Sequence, residues 1–152
     1  MGHKNDKEDI MSAIIQTVAS VEPYGENLSI VTTSEGHKVI ANRKEDGSFR
    51  WTTGEVICYV SEGSIIPDDV LKERGYWDAE KDRGLLDGGK RNRVKMKKLA
   101  GFESRGLLFK VMEGGAGPLN GDLWIVRGDQ SSNMLTLGDD VSEFLGIVEF
   151  QG

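Results

Sequence analysis

The sequence predicts one mostly β domain, a small barrel or sandwich with one or two short helices and a long loop insertion. Short β-branched runs recur between glycine-containing turns, the pattern of many brief strands. Helical character is confined to two brief stretches. The length of 152 residues, with 38% hydrophobic residues, suits a single domain with one core.

Residues 1–10 are charged and polar and read as a flexible tail, which leaves 11–150 as the domain. From 11 to 40 the expected order is strand, turn, strand. Ile14, Ile15 and Val18 are apolar, and Pro23-Tyr24-Gly25 marks a turn. Leu28-Ser29-Ile30-Val31-Thr32 is β-branched and partly alternating. Ser34-Glu35-Gly36 turns the chain, and residues 37–41 continue as a strand. Glu45-Asp46-Gly47-Ser48 is a hairpin-type turn. Residues 49–53 read as a short strand or an extended approach, and 55–60 as the strongest strand of the chain.

Residues 61–89 are punctuated by Gly63, Pro67, Gly75, Gly84, Gly88 and Gly89. Pro67-Asp68-Asp69-Val70-Leu71-Lys72 has acids where a helix begins, so a short helix is expected there. The remainder to Gly89 is expected to be a long surface excursion. Residues 93–99 alternate cations with Val94 and Met96, as in a half-buried strand with a basic outer face. Residues 106–112 and 123–126 read as strands, and the glycine-rich stretch 113–121 between them as a loop. Residues 137–146 suggest a helical turn ended by Gly146, and 147–150 a closing strand.

The formal charge of −6 argues against a chain that presents cations over its whole surface to nucleic acid. Its distribution is uneven, however. The stretch from Lys90 to Lys98 carries six positive charges and no negative one, with acid elsewhere at Asp139, Asp140, Glu143 and Glu149. Arg105 extends this basic strip. Arg91, Arg93, Lys95, Lys97, Lys98 and Arg105 are therefore candidate phosphate contacts, with Tyr76, Trp77 and Phe102 as stacking surfaces nearby. The partner implied is a single-stranded nucleic acid or an acidic protein surface, the latter including a neighbouring copy in a homo-oligomer.

Other chemistry is thinly supplied. The single cysteine, Cys58, lies in the strongest strand and reads as a buried, inert thiol. His3 and His37 are far apart in sequence, too few with one cysteine for a structural zinc site, so no metal is expected. The acidic pairs Glu8-Asp9, Asp68-Asp69 and Asp139-Asp140 lack the regular spacing of an ion-binding loop. Ser104 has no base to activate it and reads as a turn residue or a backbone contact. Gly114-Gly115-Ala116-Gly117-Pro118 lacks the lysine-serine ending of a phosphate loop. No catalytic residue and no cofactor are expected. No apolar run reaches bilayer length, so no membrane partner is expected either.

Three segments carry a resemblance. The stretch from Arg93 to Leu108, with Lys97-Lys98-Leu99-Ala100-Gly101-Phe102-Glu103-Ser104-Arg105-Gly106, resembles a basic strand of a bacterial and phage RNA ligase family. That strand runs into arginine-glycine and then serine-glutamine-glycine-leucine-leucine. The stretch Gly138-Asp139-Asp140-Val141, followed by Leu145-Gly146-Ile147, resembles the end of the same family's amino-terminal module. A third, weaker match lies in Thr53-Gly54-Glu55-Val56-Ile57-Cys58-Tyr59-Val60 and then in Ile66-Pro67. Ala100 stands where the family has arginine, and Arg105 where it has glutamine.

The resemblance covers roughly residues 12–150 and implies an OB-like β-barrel that helps hold nucleic acid. It implies that the chemistry resides in a nucleotidyltransferase domain following the module. Lys44-Glu45-Asp46-Gly47 matches the lysine-any-aspartate-glycine motif of such enzymes, but it precedes the strongest strand and reads as a hairpin turn. The expected function is a non-catalytic nucleic-acid-binding or positioning module. The alternative is a phage virion component, such as a capsid decoration or tail protein, that reuses the fold for assembly. A cytoplasmic location follows from the first and a virion from the second.

Overall fold

A computed structural model describes residues 12–99, 101–113 and 122–149. The expected tail, most of the expected loop 113–121, the substituted Ala100 and the end of the closing strand at Phe150 lie outside the described residues. In chain order the strands are β1 (Ala13–Tyr24), β2 (Leu28–Thr33), β3 (Lys38–Asn42), β4 (Val56–Val60) and β5 (Ser64–Ile65). Helix α1 (Asp68–Arg74) follows, then β6 (Trp77–Asp78), β7 (Arg83–Gly84), β8 (Lys97–Leu99), β9 (Phe102–Ser104) and β10 (Leu107–Lys110). The chain continues through β11 (Met112–Glu113), β12 (Leu123–Arg127), β13 (Gln130–Leu135), α2 (Ser142–Leu145) and β14 (Val148–Glu149).

The fold is mostly β, as expected. Its main sheet has the order β10-β4-β1-β2-β3 and curls into a half-barrel. That is the sequence of neighbours in a small, partly open Greek-key barrel of the OB-like kind. β1 makes the curl possible. Its first half pairs with β4, placing Ile15 opposite Cys58, and its second half pairs with β2, placing Val21 opposite Val31. A register shift between Val18 and Ser20 marks the change of partner. Bulges of this kind increase local twist, which a closing sheet requires.

Two apolar clusters occupy opposite faces of the sheet, because neighbouring side chains on a strand alternate. Val18, Val31, Val39, Ile57, Tyr59 and Leu108 form the smaller one, inside the curl. Ala13, Ile15, Cys58, Val60 and Phe109 belong to the larger one, where the rest of the chain packs against the sheet. Ile15, Ile66, Leu71, Phe109, Ile125 and Leu145 are fully enclosed there. Each such side chain contributes about 1.5–3 kcal/mol of burial energy.

The segment 61–89 is only partly the surface excursion its glycines suggest. Ile66, Val70, Leu71 and Leu86 are buried in the larger cluster. The expected helix is present as α1, with Asp68 and Asp69 in its first turn, Lys72 and Arg74 in its last, and Gly75 closing it at φ 87°. Gly84 shows why a glycine stands in a packed place: a Cβ there would lie 2.1 Å from the Arg91 carbonyl oxygen. The chain crosses itself at that point.

The segment from Gly138 to Ile147 has a clear structural role. Gly138 and Val141 donate backbone hydrogen bonds to the carbonyls of Ile15 and Ala13, and Ile15 donates to Asp139. Ala13 donates to the Ser142 hydroxyl at 2.8 Å. Asp140 accepts from the Ser142 amide at 2.8 Å in the turn that precedes α2. The first residues of β1 are thereby held between β4 and this segment. Residues 49–53, expected as a strand or an extended approach, form no strand.

Candidate nucleic-acid interface

The basic strip expected from the sequence is largely a surface feature. Val94 is 2% exposed while Lys95 is exposed, so the expected alternation holds at its centre. Only the end of the strip is a strand: β8 pairs with β9, setting Lys97 opposite Ser104 and Lys98 opposite Glu103. Arg91 is exposed in a turn with φ 59°. Arg93 exchanges backbone hydrogen bonds with Asp87. Lys97 and Arg105 of the strip meet carboxylates. Lys97 Nζ lies 3.3 Å from Asp87, and Arg105 lies 2.9 Å from Glu62 and 3.0 Å from Glu103. The hydrogen bond that Arg105 donates to Glu103 leads the effects that hold its guanidinium above its ordinary pKa.

The three aromatic candidates do not gather on the strip. Phe102 meets Tyr24 edge-on, with centroids 5.8 Å apart. Trp77 lies beneath Lys72, whose Nζ is 4.7 Å from the ring centroid. Tyr76 packs towards Phe109, at 6.2 Å between centroids. Ser104 is buried, and its hydroxyl accepts from the Ile40 amide at 2.9 Å. The hydroxyl thus serves the protein's own backbone, linking β9 to β3.

The more developed site is the open seam of the half-barrel. Its two outer strands, β3 and β10, do not pair with one another. Between them runs an open groove of about 1010 Å³. Residues 39–42 of β3 form one wall and residues 107–110 of β10 the other, with the end of α1 and the β3–β4 connection at the margins. Among the described residues, the cations lining it are Lys44, Arg50, Arg74 and Lys110, against a single carboxylate, Glu73. The aromatic side chains lining it are Trp51, Tyr76 and Phe109. On a chain of net charge −6, this is a local concentration of positive charge beside flat apolar rings.

Four interactions fix that arrangement. Lys110 Nζ lies 5.1 Å from the Trp51 centroid, and the Arg74 guanidinium carbon 5.3 Å from the Phe109 centroid. Arg74 donates from its terminal nitrogens to the carbonyls of Val126 and Lys110, but its Nε is buried without a partner among the described residues. Burial is the main cause of its lowered pKa. Burial also raises the Tyr76 hydroxyl, against the opposing charge of Arg50.

The Lys44-Glu45-Asp46-Gly47 tetrapeptide is a tight turn at the groove margin. Gly47 donates to the Lys44 carbonyl and Lys44 to the Ser48 carbonyl, each at 2.9 Å. Asp46 accepts from the Ser48 hydroxyl at 2.6 Å and its amide at 2.9 Å; these bonds lower its pKa. Lys44 thus lines the groove in a role the motif match does not describe. Arg50 and Trp51, Arg74 and Lys110 carry no motif and come from three separate segments. The adjacent Arg50 and Trp51, next to a turn, are the one local hint of them in the sequence. His37, isolated in sequence, is stacked on Tyr59 at 4.1 Å between centroids.

No group of three or more potential metal-ligating side chains occurs among the described residues. No helix among them is long and apolar enough to cross a membrane.

No family model and no curated protein matches the chain. Solved structures do. The chain is similar to a mutant of the Naegleria gruberi RNA ligase with AMP and manganese, at 22% identity and a TM-score of 0.56, over 92% of this chain. It is equally similar to that ligase with pyrophosphate, at 21% identity and a TM-score of 0.56 over 93% of this chain. The chain spans about a third of the ligase's length, 35% and 36% in the two cases. At this identity the likeness establishes an RNA-ligase-like fold over part of the larger protein.

Proposed function

We propose that this domain is a non-catalytic module that binds a single strand of nucleic acid and positions it. The observation that carries the reading is the seam groove, where four cations face one carboxylate beside three aromatic rings. Such a combination suits a polyanion with stackable bases: phosphates meet the cations and bases lie on the rings. The likeness to RNA ligases supports RNA as the strand. The bacterial and phage family resemblance read from the sequence belongs to the same proposal.

Binding of a fluorescent oligouridylate, followed by anisotropy across a salt series, tests the reading. For four phosphate contacts the expected slope of log affinity against log salt is about −3. Reversing Lys44 and Arg50 together to glutamate should abolish most of the binding. An unchanged affinity in that variant would overturn the groove as the site.

The non-catalytic part is tested with labelled ATP, where no covalent adenylate should form on Lys44. Its support is the short closed turn that holds the tetrapeptide. An assembly role would show itself differently, as a discrete symmetric oligomer in light scattering with no affinity for the oligonucleotide.

A further inference from the structure

The groove is not the only hollow on the seam. A second, of about 100 Å³, lies between β3, β10 and the basic strip, and it is lined by Lys95, Lys97, Ser104 and Gly106. Ile40 and Leu107 line both hollows. The two are therefore neighbouring parts of one seam, and the same pair of residues forms the sill between them.

We propose that the groove and the basic strip form a single track along the barrel seam, occupied end to end by an extended RNA strand. This rests on the reading of the groove as a nucleic-acid site and extends it to a longer ligand. Charge continues along the track. Lys44, Arg50 and Lys110 serve the groove end, and Lys95 and Lys97 serve the strip end.

The two ends differ in kind. The groove end has aromatic rings for bases. The second hollow is lined by Lys95 and Lys97 against one carboxylate, Asp87, with Ser104 and aliphatic residues and no ring among them. The strip end therefore holds backbone phosphates, while bases are gripped at the groove end. Lys97 is available for this. Its pairing with the half-buried Asp87 leaves the ammonium itself exposed, and such a pair is weak enough for a phosphate to replace the carboxylate.

The test compares oligouridylates of about four and about twelve nucleotides, lengths that bracket much of the range covered by one barrel of this kind. For the native protein, lengthening the strand should raise affinity by at least about tenfold, because only the longer one reaches the strip. In the variant carrying Lys95→Glu and Lys97→Glu, that gain should fall below about threefold. In the variant carrying Lys44→Glu and Arg50→Glu, both oligonucleotides should bind poorly. Circular dichroism checks that each variant is folded, and all four side chains are exposed.

If the strip variant keeps the full gain with length, the hollows are separate surfaces and the track is wrong while the groove reading stands. If neither oligonucleotide binds the native protein, the groove reading fails and the track with it. If the strip variant weakens the short and long strands equally, the short strand is not confined to the groove and the track is overturned.

Discussion

The ammonium of Lys110 sits over the indole of Trp51, 5.1 Å from the ring centroid, and so joins the last residue of β10 to the β3–β4 connection across the groove margin. Lys110 also reaches Glu55 Oε2 at 3.2 Å. An exposed cation over an aromatic face is worth about 0.5–1 kcal/mol, enough to orient both groups without locking them. Trp51 is left half-buried, with its edge on the small cluster inside the curl.

That relationship gives two separable effects. Trp51→Ala should weaken single-strand binding about tenfold, since base–aromatic stacking contributes about 1–3 kcal/mol. Lys110→Ala should instead lower the salt slope by about 0.7, the contribution of one phosphate contact on a single strand. Anisotropy titrations at several salt concentrations measure both. A salt slope altered by Trp51→Ala and untouched by Lys110→Ala would reverse the assignment.

Gly106 joins β9 to β10 with φ 122°, and a Cβ there would meet the Tyr59 ring at 2.6 Å and the Val60 carbonyl oxygen at 2.7 Å. Neither neighbour is free to retreat. Val60 is paired with β1 on one side and β10 on the other, and the Tyr59 hydroxyl donates to the Arg105 carbonyl. Gly106→Ala should therefore cost about 2–4 kcal/mol, from backbone strain plus overpacking. Gly47 has φ 87° but open space around its Cβ direction, so Gly47→Ala should cost only about 1 kcal/mol, from strain alone. Urea unfolding midpoints of the two variants test the contrast.

The sequence was informative where the signal was local. The alternation of Val94 with its cationic neighbours, the β-branched run at residues 28–32 and the glycine after α2 each report a nearest-neighbour pattern. Three features had no such pattern. β13, Gln130-Ser131-Ser132-Asn133-Met134-Leu135, is exposed along most of its length, so it shows no apolar face. Ile66, Leu71 and Leu86 lie among glycines and charges, and their burial follows from how the connection folds back. The groove cations come from the β3–β4 connection, α1 and β10, which only the curl of the sheet brings together. A run of six cations is conspicuous in a sequence, whereas four dispersed ones become a site only in three dimensions.

Arg127 pairs with Asp69 through Nε at 2.9 Å and Nη2 at 3.0 Å, tying β12 to the first turn of α1. The hydrogen bonds from Arg127 hold the Asp69 carboxyl below its ordinary pKa of 3.8. The folded state thus prefers the ionised carboxylate more than the unfolded state does. The resulting stability is present above the unfolded value and is lost as pH falls through the lower, folded one. Asp69→Asn should therefore lose less stability between pH 7 and acid than the native protein. The difference should be small, because the pair is exposed. Urea midpoints at neutral and acid pH measure it, and identical acid losses in the two proteins would remove the pair from the acid response.

Cys58 sits in β4 opposite Ile15 of β1 and Phe109 of β10, within the larger cluster and with no exposed surface. Burial pushes its thiol up to about 12, far above the pH at which an ordinary cysteine becomes a nucleophilic thiolate. Two barriers therefore protect it: no reagent reaches the sulfur, and almost none of it is ionised at neutral pH. The folded protein should remain inert to an aromatic disulfide reagent at pH 8 and react fully once unfolded in urea. Because β4 is flanked by two strands on which the curl depends, labelling in the native state should follow the global opening of the sheet. The labelling rate should then rise with urea in parallel with the fraction unfolded. Rapid labelling without denaturant would show that β4 or β10 opens locally, and with it one wall of the groove.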